Sequence, residues 1–173
     1  MRSRDEADYE EFVSARARAL RRTAYLLCGD WHRAEDLVQS VFTSLYVNWH
    51  HVRDQASLDG YVRTMLVRRV IDESRRPWRR ETASERLPDT AVRQGLAFED
   101  RELVRTALSS LPARQRAVVV LRFFDDLDVA QTAELLDCSE GTVKSYTARA
   151  LATLRTELGQ HWPVPADRDG GIR

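Results

Sequence analysis

From Pro77 to residue 98 the chain reads PWRRETASERLPDTAVRQGLAF: two prolines, scattered polar side chains and no sustained apolar stripe. Helical periodicity is pervasive on either side. A structureless segment of about 20 residues is uncommon inside one compact domain. This break therefore constrains the fold more than any other feature, and it predicts two helical bodies on one chain. With 7 glycines and 5 prolines in 173 residues, turn residues are too sparse for an all-β fold. The expected class is all-α, with two small helical domains at 5–76 and 99–160 joined by a flexible linker at 77–98. A disordered tail is expected at 161–173, where Pro163, Pro165, Gly170 and Gly171 cluster.

In the first domain, Phe12, Val13, Leu20, Ala24 and Leu27 line one face of a helix over 5–28. Gly29 and Asp30 supply a stop and a start. A second helix runs to Trp49 with Leu37, Val38, Val41, Phe42, Leu45, Tyr46 and Trp49 as its stripe. Residues 50–57 read as a loop. Ser57 reads as the cap of a third helix over 58–76, which turns Leu58, Tyr61, Val62, Met65, Leu66 and Val70 inward. In the second domain, Leu103, Val104, Ala107 and Leu108 share a face of helix 99–109. Pro112 suits the first turn of a helix over 112–124 that buries Val118, Val119, Leu121 and Phe124 or their near neighbours. Asp128 and Gln131 have capping-box spacing and open a short helix to Leu136.

That short helix, a three-residue turn at Asp137-Cys138-Ser139 and a long helix from 140 to 155 follow the helix-turn-helix plan. Ala130, Ala133 and Leu136 let the second helix cross closely, and Val143, Ala150 and Leu154 face back into the junction. Thr142, Lys144, Ser145 and Arg149 are left pointing outward from the N-terminal half, the part of a recognition helix that enters a major groove. Lysine and arginine donate to guanine O6 and N7; serine and threonine bond bases or phosphates. Lys144 is the only lysine beside 26 arginines. Asp137 stands where glycine commonly sits in such turns, and aspartate tolerates the left-handed conformation better than most residues. Gly141 lets the backbone approach a phosphate at the positive end of the helix dipole.

The net charge is zero, but it is unevenly spread. Residues 1–60 carry 8 arginines against 10 acids, whereas residues 61–80 carry 7 arginines against Asp72 and Glu73. The second stretch is a local nucleic-acid footprint in a neutral chain. Cys28 and Cys138 are far apart and outside any CxxC, so they read as small buried thiols, with neither disulfide nor zinc expected. His50-His51 lacks metal-ligand spacing. No apolar run approaches the about 20 residues of a membrane span, and the N-terminus is too acidic for a signal peptide. A soluble cytoplasmic protein is expected. There is no phosphate loop, metal cluster or nucleophile–base motif, so no catalytic residue, metal or cofactor is expected. Asp125, Asp126 and Asp128 crowd together in a turn, with Asp128 opening the next helix. A free-standing helix-turn-helix regulator remains the alternative in a different functional class, though no ligand domain or dimer helix is apparent.

The sequence LPARQRAVVVLRFF, followed by AELL and SEGTVKS, resembles region 4 of the extracytoplasmic-function (group IV) sigma factors of bacterial RNA polymerase. AEDLVQSVF at 34–42 is similar to region 2.2 of that family, and SLDGYVRTMLVRRVIDESRR at 57–76 to regions 2.3 and 2.4. The resemblance spans about residues 5–160, and the arginine-rich variants look most like the actinobacterial SigE-like group. It implies that Glu35, Asp36 and Gln39 face the β′ clamp helices of core RNA polymerase, with region 4 near the β flap. It implies that Thr64, Arg68 and Arg75, flanked by Arg69 and Arg76, meet the −10 element. It also implies that loop residues His50, His51, Arg53, Asp54 and Gln55 capture a flipped base. Tyr61 stands where the family commonly has tryptophan, and Arg68 where it has asparagine. Thr142, Lys144, Ser145 and Arg149 would contact the −35 element, beside the small Ala148. Promoter DNA and core polymerase are the implied partners; an anti-sigma factor is a further candidate, because many members of the family have one.

Overall fold

The computed structural model describes residues 2–53, 57–76 and 98–159, with side chains from Arg4 in the first stretch and Asp100 in the last. The expected linker, Phe98 excepted, and the tail lie outside these residues. Every element among the described residues is helical. The chain divides into two compact units, Met1–Val92 and Arg93–Arg173.

The first unit is a bundle of α1 (Arg2–Cys28), α2 (Trp31–Val52) and α3 (Leu58–Ser74), each packed on the other two. Leu20, Ala24 and Leu27 of α1 are buried at helical spacing. They meet Ala34, Leu37, Val38, Val41, Phe42, Leu45, Trp49 and Val52 of α2, and Val62, Leu66, Val67, Val70 and Ile71 of α3. Four of the five core residues of α3 are β-branched and poor helix formers, so burial rather than propensity holds this helix. The corner between α1 and α2 is tight. Gly29 takes φ 75° and donates to Tyr25 O at 2.7 Å; Asp30 then accepts from Arg33 N at 2.8 Å as the N-cap of α2. Tyr25 and Trp31 stack across this corner with ring centroids 4.0 Å apart.

Three expectations for this unit need correction. Residues 50–52 are not loop: α2 runs on through His50, His51 and Val52, because Val52 extends the Leu45–Trp49 stripe into the core and no glycine or proline intervenes. Tyr46 leaves the stripe and is 53% exposed, because it lies seven residues beyond the exposed Gln39, on the outer face. Ser57 occupies the N-cap position of α3, but its side chain makes no capping bond.

The second unit contains α4 (Phe98–Ser109), α5 (Ala113–Val119), α6 (Val129–Leu136) and α7 (Glu140–Leu158), with α7 packed against the other three. Pro112 sits one residue outside α5 as its N-cap. Arg116 reaches back over the end of α4, donating to Leu108 O at 2.8 Å, Leu111 O at 2.9 Å and Ser109 O at 3.3 Å. Leu108 O also accepts from Leu111 N at 3.1 Å, so Arg116 adds a charged donor to the carbonyls left over where α4 ends. α5 does not run on to 124 as an α-helix: Val120–Phe124 widens into a π-helical turn. Asp125 N donates to Val120 O at 3.0 Å. The extra residue per turn lets five consecutive side chains, Ala117 to Leu121, be buried, and it leaves Phe124 38% exposed. Leu103 is also exposed, at 42%, while Val104, Ala107 and Leu108 fill the core. α6 opens with a complete capping box, Gln131 N to Asp128 Oδ1 at 2.7 Å and Asp128 N to Gln131 Oε1 at 3.0 Å.

Candidate nucleic-acid interface

α6, the turn and α7 form a helix-turn-helix whose geometry follows from the turn residues Asp137, Cys138 and Ser139. Asp137 takes φ 52°, ψ 55°, the left-handed conformation that ends α6. Cys138 N donates to Ala133 O at 3.0 Å and Asp137 N to Glu134 O at 3.2 Å, closing the helix in the manner usual for a glycine. Ser139 then caps α7, accepting from Thr142 N at 3.1 Å. Val143, Thr147, Ala150 and Leu154 are buried on one side of α7; Lys144, Ser145, Ala148 and Arg149 are exposed on the other. The junction is closed by Ala133 and Leu136 from α6; Ala130, expected there, is exposed. Thr142 is half-buried, and its hydroxyl lies 2.9 Å from Ser139 Oγ, within the cap. Lys144, Ser145 and Arg149 thus form an outward, basic and hydroxylic face on the N-terminal half of α7, suited to phosphate and base-edge contacts.

In the first unit the basic segment lies on α3 and just beyond it. Arg68, Arg75 and Arg76 are exposed and make no ion pair among the described residues. Arg75 and Arg76 follow the last helical residue, held by bonds to Asp72 O and Glu73 O at 3.3 and 3.1 Å. Asp72 is exposed on the same side and moderates the positive field. Thr64 is half-buried and spends its one hydroxyl proton on Gly60 O at 2.8 Å. A phosphate can only accept, so Thr64 must rotate to meet one. Arg69, expected to flank this face, turns the other way: its guanidinium donates to Ser40 Oγ and Ser44 Oγ of α2. Sequence reasoning missed these two serines, although their i, i+4 spacing on the polar edge of α2 was visible.

The residues expected to take up a flipped base are only partly brought together. His50 and His51 are exposed in the last turn of α2, and Arg53 is its C-cap; Asp54 and Gln55 lie outside the described residues. Asp5 of α1 pairs with Arg53 and lies 3.5 Å from His50 Nδ1. Asp5 is a partner that periodicity alone does not reveal. Beneath them Trp49, 6% exposed, packs against Tyr9 and Phe12 with centroids 5.3 and 6.1 Å away. Arg16 of α1 forks onto Asp59 of α3 on the same side, one of its bonds measuring 3.0 Å.

Glu35, Asp36 and Gln39 are all exposed on the outer face of α2, continuous with Thr43, Tyr46 and Val47. Arg21 approaches Glu35 at 3.7 Å. The two cysteines are unpaired and half-buried. Burial pushes the Cys28 thiol up to about 11, and its Sγ donates to Asp30 O at 3.2 Å. Among the described residues no group of three or more side chains is arranged to hold a metal ion, and no helix is long and apolar enough to cross a membrane.

Comparison with known proteins matches this arrangement unit by unit. Residues 12–80 match the family model described as Sigma-70 region 2, and residues 101–154 match Sigma-70, region 4. The RNA polymerase sigma-E factor of Streptomyces avermitilis is 37% identical over 152 residues, covering 87% of this chain and 85% of the relative. The ECF RNA polymerase sigma factor SigM of Mycobacterium tuberculosis is 30% identical over 155 residues, 90% of this chain and 79% of the relative. Among solved structures, the sigma factor RpoE of Bartonella quintana, determined with the anti-sigma factor NepR, is similar in fold. Its TM-score is 0.73 at 24% identity, covering 90% of this chain and 99% of that one.

Proposed function

The chain belongs to the extracytoplasmic-function group of the sigma-70 family of RNA polymerase sigma factors, and from that premise we propose how its residues divide the work. As a sigma factor it binds core RNA polymerase and directs promoter-specific initiation. The observation that carries this is the presence of region 2 and region 4 in order on one chain, each on its own helical unit. The first unit, residues 5–76, docks on the polymerase clamp through Glu35, Asp36 and Gln39, and meets the −10 element through Arg68, Arg75 and Arg76. Exposure and lack of ion pairing support these three arginines as phosphate contacts. His50, His51, Arg53 and the following residues Asp54 and Gln55 take up an unpaired base, and Thr64 contributes after rotation. The second unit, residues 99–160, holds the −35 element through Lys144, Ser145 and Arg149. Thr142 shapes the helix start through its bonds to Ser139 and stands beside those three at the −35 element.

The chemistry is the polymerase's: this chain contributes recognition and strand capture and works in the cytoplasm. An anti-sigma factor, the partner of the Bartonella quintana protein, is proposed as a regulator here also. Purified protein mixed with core polymerase is expected to yield transcripts from a defined promoter, and neither component alone should do so. Failure to be retained by immobilised core polymerase would sink the reading. Tight binding to a palindrome without polymerase would instead favour a free-standing regulator.

A further inference from the structure

We propose that Arg69 is a positioning residue, a brace that holds the DNA-facing helix α3 against the polymerase-docking helix α2, and not a contact to the −10 phosphates. The inference rests on the reading above of which helix docks and which meets DNA. Arg69 is half-buried, and its two terminal nitrogens are committed separately: Nη1 donates to Ser40 Oγ and Nη2 to Ser44 Oγ, the latter at 2.5 Å. Ser40 and Ser44 are i, i+4 on α2, so their hydroxyls stand one above the other. Two stacked acceptors suit the rigid fork of a guanidinium; the single nitrogen of a lysine offers no such match. One turn further along α3, Glu73 takes Arg33 of α2 at 3.3 Å. Residues 69 and 73 of α3 and 33, 40 and 44 of α2 thus make a polar seam beside the apolar core.

The seam has a direction. A helix turns about 100° per residue, so Arg69 stands well round α3 from Thr64, Arg68 and Arg75, which cluster within about 40° of one another. On α2, Ser40 follows Gln39 and Ser44 follows Thr43, at the border of the exposed strip that carries Asp36 and Gln39. Whatever fixes α2 through that strip fixes the two anchors of the brace, and the brace sets the angle at which α3 presents its arginines. Arg69 therefore links docking to −10 strand capture without touching either partner.

The test uses the full chain assembled with core polymerase. Arg69→Met keeps the long stem and removes the fork. Opening of the −10 region, read by 2-aminopurine fluorescence, is expected to slow on the order of tenfold, within the range for side chains sharing one hydrogen-bond network. Core affinity and the slope of log K against log salt for promoter binding should stay as in the wild type. Arg68→Ala, by contrast, should reduce that slope by about 0.9, the loss of one phosphate. Arg69→Lys separates the two roles even where the methionine variant folds poorly, since lysine keeps a phosphate contact but not the fork, so it should open as slowly as Arg69→Met. The pair Ser40→Ala and Ser44→Ala should reproduce the defect, and the triple variant should be no worse. The brace is overturned by a reduced salt slope in Arg69→Met, by normal opening, by full recovery in Arg69→Lys, or by serine and arginine defects that simply add. If wild-type protein fails to bind core polymerase, the underlying functional reading falls. The brace is then judged by non-additivity of the same three positions in urea unfolding.

Discussion

Lys144 is the residue on which the −35 assignment stands most openly, because it is exposed, sits on the N-terminal half of α7 and shares its face with Ser145 and Arg149. Lys144→Ala should weaken promoter binding by the polymerase-bound protein by about 1–3 kcal/mol if it reads a base. An exposed change of this kind moves folding stability by only about 0.5 kcal/mol. Filter binding on promoters with and without a −35 element checks it, and equal losses on both would remove the assignment. Cys28 gives a different residue-scale prediction. Its thiol is held protonated by burial up to about 11, against an ordinary 9.0. Between those values the unfolded chain has released the proton and the folded chain has not, so unfolding releases a proton and stability falls as pH rises. The contribution is whole below pH 9 and gone above 11, on the order of 2 to 3 kcal/mol. Burial also raises the Tyr9 hydroxyl, which adds in the same direction. Urea midpoints from pH 8 to 11 should therefore decline, and Cys28→Ala should decline less steeply.

At the scale of elements, the helix-turn-helix depends on a left-handed residue that is not glycine. Asp137→Val should cost about 1–2 kcal/mol, because a β-branched side chain fits φ 52° badly, while Asp137→Gly should be neutral or better. Asp128→Ala, which opens the capping box of α6, should cost about 1 kcal/mol. Arg116→Met should cost about 2 kcal/mol, because it strips three carbonyls at the end of α4 of a charged donor. Thermal unfolding of the full chain checks all three, and the valine and glycine variants at 137 must differ in sign or size for the strain argument to hold. Caps, turns and stripes of this kind were legible in advance: Gly29-Asp30, the Asp128–Gln131 box, Ser139 and the tolerance of Asp137 all follow from local chemistry. What was not legible depended on packing. The π turn at Val120–Phe124 arises because five successive side chains find room in the core, which no periodic stripe encodes. The same holds for Arg69. Sequence spacing put it beside the proposed DNA face, and only the tertiary approach of α2 supplies the two hydroxyls that turn it away.

For the whole molecule, the charge division acquires a physical reason. A zero net charge that hides an acid-rich stretch at 1–60 and a basic one at 61–80, balanced by the acidic excess of 81–173, suits a protein that docks on another protein by one face and on DNA by another. Each unit has its own buried core, Leu27, Leu45 and Leu66 in the first and Val118, Leu121 and Val143 in the second. Each should therefore keep its helices when the chain is cut. Each also offers only a few cationic contacts, which is weak binding by itself. Joining two weak modules raises the local concentration of the second once the first is bound, worth about 10²–10⁴ in affinity when the connector spans both sites. A protease site placed within residues 77–97 tests this directly. After cleavage the helical circular dichroism should be unchanged, core polymerase should still retain the first unit, and apparent promoter affinity should fall by about 10²–10⁴. Raising the concentration of the separated second unit should restore part of that loss. If cutting leaves promoter binding intact, one unit alone carries recognition; if cutting unfolds either piece, the two units are not independent bodies.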